Sequence, residues 1–158
     1  MRIRPLEKDD RDTIESLLTK CGGFTPQEVS CAIELVDFAL DNIEQDEYLF
    51  LCATDDDGGL LGYANYGPAA LSDGVFELYW IAVKREMQRN GVGSALIKRV
   101  ESEVKNLNGR KILVETSSQD KYRLTRNFYL KNGYVEAGRI GDFYSIGDDK
   151  IIYEKNLV

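Results

Sequence analysis

The residues best suited to chemistry lie in a glycine-bearing turn between an apolar strand and a helix. An apolar run over residues 75–83 is followed by Gln88-Arg89-Asn90-Gly91-Val92-Gly93 and then by the periodic residues of a helix. Gly91 and Gly93 carry no side chain that would hold a ligand away from the main chain. The first-turn N–H groups of a helix have no partner within it, and such groups bind phosphate oxygens. The turn therefore predicts a phosphate site with room for a diphosphate.

Two common phosphate motifs do not match this turn. A dinucleotide fingerprint has a glycine or alanine three residues after its second glycine, where this chain has Leu96. A Walker loop has a lysine followed by serine or threonine, and the turn has no such pair. Because Gly-Val-Gly before a helix is also an ordinary helix entry, the turn alone leaves a nucleotide-binding protein as an alternative.

A second motif lies near the end of the chain, between Thr125 and Tyr134. Its Phe128-Tyr129 pair is followed by a Gly-aromatic step into a predicted strand. In their order and separation, the two motifs resemble those of the GCN5-related N-acetyltransferase (GNAT) superfamily. The resemblance covers essentially the whole chain, residues 1–158, which we expect to form one N-acetyltransferase domain. Many members have an asparagine that contacts the pantetheine arm where this chain has Tyr122, and Thr125 is the candidate substitute for it.

The resemblance implies an α/β (α+β) fold of the GNAT type. In this fold, a central, mixed, mostly antiparallel and twisted sheet of about seven strands is accompanied by about four helices. Strands 4 and 5 are parallel and splay apart, which makes room for a ligand between them.

Apolar periodicity and turn residues place the elements that position these motifs. Thr25, Pro26 and Glu28 are typical of a helix start with a capping box, and the apolar face of that helix continues to Ile43. Segments 48–54 and 60–66 predict a hairpin around Asp55-Asp56-Asp57-Gly58, since a calcium loop would need a distal glutamate that is missing here. The other predicted strands are 2–6, 75–83, 111–115, 134–140 and 150–156, and the other predicted helices end near Gly22, Leu107 and Lys131.

The resemblance assigns acetyl-CoA to the turn, as the cosubstrate. Main-chain N–H groups of Arg89 to Ser94 would hold the CoA diphosphate, and the Arg89 side chain would add positive charge. The edge of the strand at residues 81–83 would pair with the pantetheine amides as an added strand does. The predicted cofactor-binding residues are Ile81, Ala82, Val83, Gln88, Arg89, Asn90, Gly91, Val92, Gly93, Ser94, Thr125, Arg126 and Tyr129.

Tyr129 is the candidate acid for transfer of the acetyl group to an amine. It matches the tyrosine that approaches the CoA sulfur in many family members. Tyrosine ionises at about pH 10 and a thiol at about pH 8.5, so full proton transfer to the leaving thiolate is uphill. Hydrogen bonding to the thiolate is therefore the contribution that we expect.

Glu77 is the candidate base, at the start of the strand that precedes the turn. Family members often place a carboxylate there, acting directly or through water, and burial of Glu77 among Phe76, Leu78 and Trp80 would strengthen it as a base. A solvated strand-end glutamate is the alternative interpretation, and Glu115 on the next strand is a weaker candidate. The oxyanion would be held by a main-chain N–H near Ile81 or Ala82.

The composition of the chain argues against several classes of function. The chain has no histidine, which excludes a Ser-His-Asp triad and any His-ligated metal, and we expect no metal. A net charge of −7 argues against nonspecific binding of nucleic acid, and no apolar run reaches membrane-spanning length. We therefore expect a cytoplasmic protein without a nucleic-acid or membrane partner. Cys21, Cys31 and Cys52 are interpreted as buried free thiols.

These patterns together predict an acetyl-CoA-dependent N-acetyltransferase with direct transfer to a primary amine. The acceptor is a small amine or a protein N-terminus or lysine, and segments 21–25, 66–73 and 141–149 are expected to border its opening. The alternative from another class is a noncatalytic acyl-CoA-binding or interaction domain. Proteins of this fold occur as monomers and homodimers, and the pattern does not choose between them.

Overall fold

A computed structural model that describes residues 1–158 contains one seven-stranded mixed sheet and four helices. The strand order is β1-β2-β3-β4-β5-β7-β6, and only β4 and β5 are parallel neighbours. This arrangement confirms the predicted fold class. In chain order the elements are β1 (Arg2–Arg4), α1 (Asp10–Lys20), α2 (Pro26–Asp41), β2 (Leu49–Thr54), β3 (Leu60–Pro68), β4 (Val75–Val83), α3 (Val92–Asn106), β5 (Lys111–Ser117), α4 (Arg123–Lys131), β6 (Val135–Ser145) and β7 (Asp148–Asn156).

The predicted capping box begins α2. The Thr25 hydroxyl accepts a hydrogen bond from Glu28 N at 3.2 Å, and the Glu28 carboxylate accepts one from Thr25 N at 2.6 Å. The expected extension of the apolar face to Ile43 is wrong, since Asn42 leaves the helical conformation and ends the helix. Ile43 is consequently 88% exposed.

Helices cover the two faces of the sheet with separate apolar layers. The α1–α2 layer includes Ile14, Leu18 and Val36, packed against Phe50 and Tyr63 of the sheet. The α3–α4 layer includes Leu96, Ile97, Val100 and Tyr129, packed against Ile112 and Ile151 of the sheet. Burial of these two apolar layers away from water stabilises the packing of the helices on the two faces of the sheet.

A β-bulge divides β4 into two parts that face differently. The register with β3 passes from Asn65 opposite Trp80 to Tyr66 opposite Leu78, so Tyr79 is an extra residue. Side chains alternate between faces along a strand, and one extra residue reverses the alternation. The β4 residues that pack in the α3–α4 layer are accordingly Phe76, Leu78, Ile81 and Val83.

Beyond the bulge, β4 and β5 part. Their parallel pairing runs from Val75 opposite Lys111 to Leu78 opposite Val114 and then stops. β5 continues its pairing with β7 as far as Ser117, while Trp80 to Val83 pair only with β3. The predicted splay is confirmed, and one edge of β4 is left without a strand partner.

The segment expected to be a loop at 141–149 is mostly a hairpin, which corrects the sequence prediction. β6 and β7 extend to a tight turn at Ile146 and Gly147, where Gly147 has a φ of 83°. The prediction was wrong because side-chain hydrogen bonds replace part of the main-chain ladder between β6 and β7 there. Asp142 N donates to the Asp149 carboxylate at 3.0 Å, and Gly147 N donates to the Asp142 carboxylate at 2.7 Å.

The cysteines are free, but only Cys52 is buried. Cys21 is half-buried at the end of α1, and Cys31 is exposed on α2, so the interpretation of buried thiols is wrong for Cys31. Helical periodicity explains the difference, because Cys31 falls outside the stripe formed by Val29, Ala32 and Ile33.

Two further features concern membrane spanning and metal binding. None of its helices combines the length and apolar character needed to cross a membrane. No group of three or more acidic or cysteine side chains is arranged to hold a metal ion.

Candidate active site

The turn before α3 exposes a series of free main-chain donors. A 3-10 turn at Arg85–Met87 leads into it, and Arg89 and Gly91 both have positive φ angles, of 65° and 82°. The N–H groups of Arg89, Gly91, Val92, Gly93 and Ser94 have no hydrogen-bond acceptor in the protein. Such a series at a helix N-terminus suits an anion with several oxygens.

The two glycines of the turn are required for different physical reasons. Gly91 has open space around an added Cβ, so its left-handed backbone explains the choice of glycine. At Gly93 an added Cβ would lie 3.1 Å from the Phe128 ring and 3.6 Å from the Val83 side chain. The first motif therefore packs directly on the second, and the bare main chain of Gly93 allows this close approach.

Side chains attach the turn to β4 and leave positive charge at its surface. Gln88 Nε2 donates to Val83 O at 3.2 Å, which holds the end of the strand against the turn. Lys84 forms a surface ion pair with Glu86 at 3.4 Å, whereas neither Arg85 nor Arg89 takes part in an ion pair. The two arginines are therefore available to an anionic ligand.

A cleft of about 720 Å³ lies where β4 and β5 part. Five of the predicted site residues line it, namely Glu77, Ile81, Glu115, Thr125 and Tyr129. The turn residues, Ala82, Val83 and Arg126 lie outside this lining. A larger open groove of about 1350 Å³ lies elsewhere, beside Tyr66 and Arg99, and holds none of the predicted site residues.

Tyr129 is buried beside the cleft, with 5% of its surface exposed. Its ring packs on Phe128, Tyr134 and Tyr153, with centroids 5.4 to 6.1 Å apart. Burial raises the pKa of Tyr129 far above its ordinary value, so the hydroxyl stays protonated. Because no protein group hydrogen-bonds to this hydroxyl, it is free to donate to a ligand in the cleft.

Glu77 lines the cleft from the opposite face of the sheet. The expected burial among Phe76 and Leu78 is wrong, because those two side chains pack in the α3–α4 layer and strand alternation points Glu77 the other way. Glu77 is half-buried and forms no ion pair. Burial, and then the neighbouring Glu77 carboxylate, raise the pKa of Tyr79 to about 12.

Glu115, the other candidate base, is already paired. Its carboxylate lies 3.0 Å from Lys150 Nζ. Glu77 has no such ion-pair partner, so its carboxylate is the one of the two that is free to contact an incoming amine.

A hydrogen bond that the sequence did not predict joins two sides of the cleft. Tyr122 Oη donates to the Glu28 carboxylate at 3.1 Å across a separation of 94 residues. Glu28 thus serves the capping box with one oxygen and Tyr122 with the other. Tyr122 stands at the departure from the family pattern, and its contact to the start of α2 shows one structural use of the tyrosine there.

Thr125 and Arg126 differ in their availability to a ligand. The Thr125 hydroxyl lines the cleft and has no hydrogen-bond partner in the protein. Arg126 Nη1 donates to Ser117 O and to Gln119 O, each at 2.8 Å, and so ties α4 to the end of β5. The second guanidinium nitrogen, Nη2, is free of protein partners.

Two of the three segments expected to border the acceptor opening contribute to the lining of the cleft. Segment 21–25 contributes Gly23 and Phe24, and segment 141–149 contributes Tyr144 and Asp148. Segment 66–73 contributes nothing, because β3 continues to Pro68 and Tyr66 is buried in the α3–α4 layer. Asp148 and Ser117 carry no recognisable signal in the sequence, although the Ser117 hydroxyl donates to the Asp148 carboxylate beside the cleft.

Comparison with known proteins gives an independent view of this arrangement. A family model described as an acetyltransferase (GNAT) domain matches residues 46–136. A crystal structure from Desulfovibrio desulfuricans, of a protein assigned to the GNAT family of acetyltransferases, has a TM-score of 0.95 and 38% identity over 99% of both chains. No curated protein matches the sequence.

Two more distant structures share the fold. An aminoglycoside 6′-N-acetyltransferase complexed with coenzyme A has a TM-score of 0.77 and 19% identity, over 100% of this chain and 98% of the other. The ribosomal-protein-S18-alanine N-acetyltransferase from Escherichia coli has a TM-score of 0.76 and 21% identity, over 99% and 93%. Their different acceptors show that this fold does not fix the acceptor.

Proposed function

Because this chain belongs to the GNAT family of acetyltransferases, we propose that it transfers the acetyl group of acetyl-CoA directly to a primary amine. Residues 1–158 would act as one N-acetyltransferase domain. The observation that carries this proposal is the cleft between β4 and β5, which is lined by the buried Tyr129, whose hydroxyl has no hydrogen-bond partner in the protein. A cytoplasmic location, the lack of nucleic-acid and membrane partners, and a monomer or homodimer remain predictions.

The donor would bind along the α3–α4 side of the sheet. The five free N–H groups of the turn supply hydrogen bonds for the diphosphate, and Arg85 and Arg89 supply charge. The unpaired edge of β4 between Tyr79 and Val83 supplies main-chain groups for the pantetheine amides. This placement brings the thioester toward Tyr129.

The reaction would begin with attack of the amine nitrogen on the thioester carbonyl carbon. A new C–N bond forms, and the carbonyl oxygen becomes an oxyanion that a main-chain N–H near Ile81 or Ala82 stabilises. The C–S bond then breaks with its electron pair on sulfur, and the Tyr129 hydroxyl donates a hydrogen bond to the thiolate. The surplus amine proton passes to Glu77, directly or through water.

The positions of Glu77 and Tyr129 support these opposite roles. Glu77 lies on the α1–α2 side of the sheet and Tyr129 on the α3–α4 side, and the splay joins the two sides. An amine that enters from the α1–α2 side would meet the base first, while the leaving sulfur stays on the side of the tyrosine.

Turnover of acetyl-CoA with a panel of amines, measured as free thiol, tests the proposal. Glu77→Gln should lower kcat by about 10²-fold, as removal of a positioned base does, whereas the control Glu115→Gln should have a small effect. Stabilisation of the protein by CoA without thiol release from any amine would instead favour the noncatalytic acyl-CoA-binding domain. Stabilisation by ATP and not by CoA would favour a nucleotide-binding protein.

A further inference from the structure

Carboxylates dominate the α1–α2 side of the cleft. The lining contains four of them, Glu28, Glu77, Glu115 and Asp148, against a single cationic side chain, Lys121. Lys150 neutralises Glu115, but no cation lies within ion-pair distance of Glu28, Glu77 or Asp148. The region therefore presents uncompensated negative charge to whatever enters the cleft.

Asp148 borders the cleft with one carboxylate oxygen that no protein group uses. It is only 8% exposed, and its Oδ1 accepts a hydrogen bond from the Ser117 hydroxyl. No protein group donates to its Oδ2, although the side chain borders the cleft. The second carboxylate oxygen of this largely buried side chain is therefore open to a donor from solvent or from a ligand in the cleft.

Glu28 and two tyrosines complete the surroundings of Asp148. The hydrogen bonds to Glu28 come from Thr25 N and Tyr122 Oη, which are neutral donors, so its negative charge remains. Burial, then Glu28, and more weakly Asp148, raise the pKa of Tyr122 to about 12, and burial with Glu115, Asp148 and Glu28 raises the pKa of Tyr144. Lys121 Nζ already lies 5.0 Å from the centroid of the Tyr122 ring, so the Tyr144 ring is the one available to an ammonium group of a ligand.

We propose that the acceptor carries a second ammonium group, which binds between Asp148 and Glu28 while the reacting amine lies between Glu77 and Tyr129. This inference rests on the proposed acetyl transfer and names its substrate class, a small diamine or polyamine. An acceptor with one amine leaves the carboxylate pair unsatisfied. An anionic acceptor is repelled.

Binding and turnover of matched amines test this inference. The probes are 1,4-diaminobutane and spermidine, compared with n-butylamine, which has one amine on a four-carbon chain. With CoA bound, calorimetry should show at least about tenfold tighter binding of the diamine than of the monoamine, as desolvated charge pairs produce. With acetyl-CoA, kcat/KM measured as free thiol should favour the diamine by a similar factor.

Charge-removing variants locate the second ammonium site. Asp148→Asn keeps an acceptor for the Ser117 hydroxyl, and Glu28→Gln keeps the capping box, since glutamine also serves at that position. Each should reduce the preference for the diamine at least severalfold without changing the binding of CoA. Glu34→Gln, which removes an exposed charge from the same helix outside the cleft, should retain the full preference.

The two arms separate this inference from the proposed function. Equal binding of diamine and monoamine, or a preference that both Asp148→Asn and Glu28→Gln retain, overturns the second ammonium site even if both amines are acetylated. A preference that depends on these residues, without thiol release, supports the site and overturns the acetyl transfer.

Discussion

The two ends of the proposed binding region, the turn before α3 and the carboxylates of the cleft, are built from different kinds of structure. The turn that we assign to the donor takes its hydrogen-bond donors from the main chain of consecutive residues, between Arg89 and Ser94. The carboxylate end takes side chains from α2, β4, β5 and the β6–β7 hairpin, with contacts such as Tyr122 to Glu28 that join residues 94 apart. A main-chain site depends on backbone shape, whereas a side-chain site changes with single substitutions. Under the proposed assignment, substitutions at the carboxylate end would change the acceptor while the turn continues to hold the donor.

The largest effect is expected at Tyr129, where the two ends meet. Tyr129→Phe keeps the ring packing and removes the hydroxyl, so kcat should fall by about 10²-fold with little change in the affinity for CoA. Steady-state kinetics and calorimetry measure the two quantities. Tyr153→Phe, which alters a ring packed against Tyr129 but outside the cleft lining, is the control and should retain turnover. Unchanged turnover in Tyr129→Phe would remove the hydroxyl from the mechanism.

A matched pair of glycines separates strain from ligand binding. Gly91 and Gly58 have φ angles of 82° and 88° and open space around an added Cβ, but only Gly91 lies in the turn. Alanine at either position should cost about 1–2 kcal/mol of stability, because a side chain disfavours the left-handed conformation. If the backbone of the turn shifts to relieve that strain at Gly91, the main-chain site is distorted. The affinity for CoA should then fall by roughly 5- to 30-fold. Equal CoA affinity in Gly91→Ala and Gly58→Ala would contradict the main-chain site.

A smaller effect is expected from the charge beside the turn. Arg89→Asn removes the guanidinium, and asparagine tolerates the positive φ of 65° at that position. The affinity for CoA should fall by about two- to fivefold, the range of one exposed ion pair, and should depend less on salt. Lys105→Asn, at the other end of α3, should change neither quantity.

We expect pH to act on the stability of the protein through the buried tyrosines at the carboxylate end, with the smallest change near neutral pH. Tyr122 and Tyr79 border the carboxylates, and burial raises the pKa of each to about 12. The folded protein then binds more protons than the unfolded chain, so their contribution to stability is complete below pH 10 and is lost as pH rises toward 12. Denaturant unfolding at pH 8, 10 and 11 should show a moderate loss of stability over the first interval, because burial also raises the pKa of the Cys52 thiol, and a steeper loss over the second. Tyr122→Phe should reduce that loss.

Local patterns predicted most of the fold. The capping box at Thr25 and Glu28, the hairpin around Asp55 to Gly58 and the apolar strand at Val75–Val83 depend on neighbouring residues, and all three are present. The tip of the β6–β7 hairpin was not predicted, because the carboxylates of Asp142 and Asp149 replace ladder hydrogen bonds in a segment that resembles a loop.

Those parts of the candidate site that are contiguous in sequence could be predicted. The turn and the Phe128-Tyr129 pair are contiguous in sequence, so both were found. The Ser117 to Asp148 contact and the face on which Glu77 lies depend on register and on the bulge at Tyr79, which leave no local signature. The packing of Gly93 on Phe128 shows in addition that two motifs found separately form one structural unit.

The extra residue in β4 lets one strand serve two compartments. Without Tyr79, regular pairing with β3 would continue, and the stretch from Val75 to Leu78 would rotate by half a turn relative to the stretch from Trp80 to Val83. Phe76 and Leu78 would then lie beside α2, and Glu77 would enter the apolar interior beside α3. A deletion of a single codon at this point should therefore be far more damaging than any exchange of the tyrosine side chain.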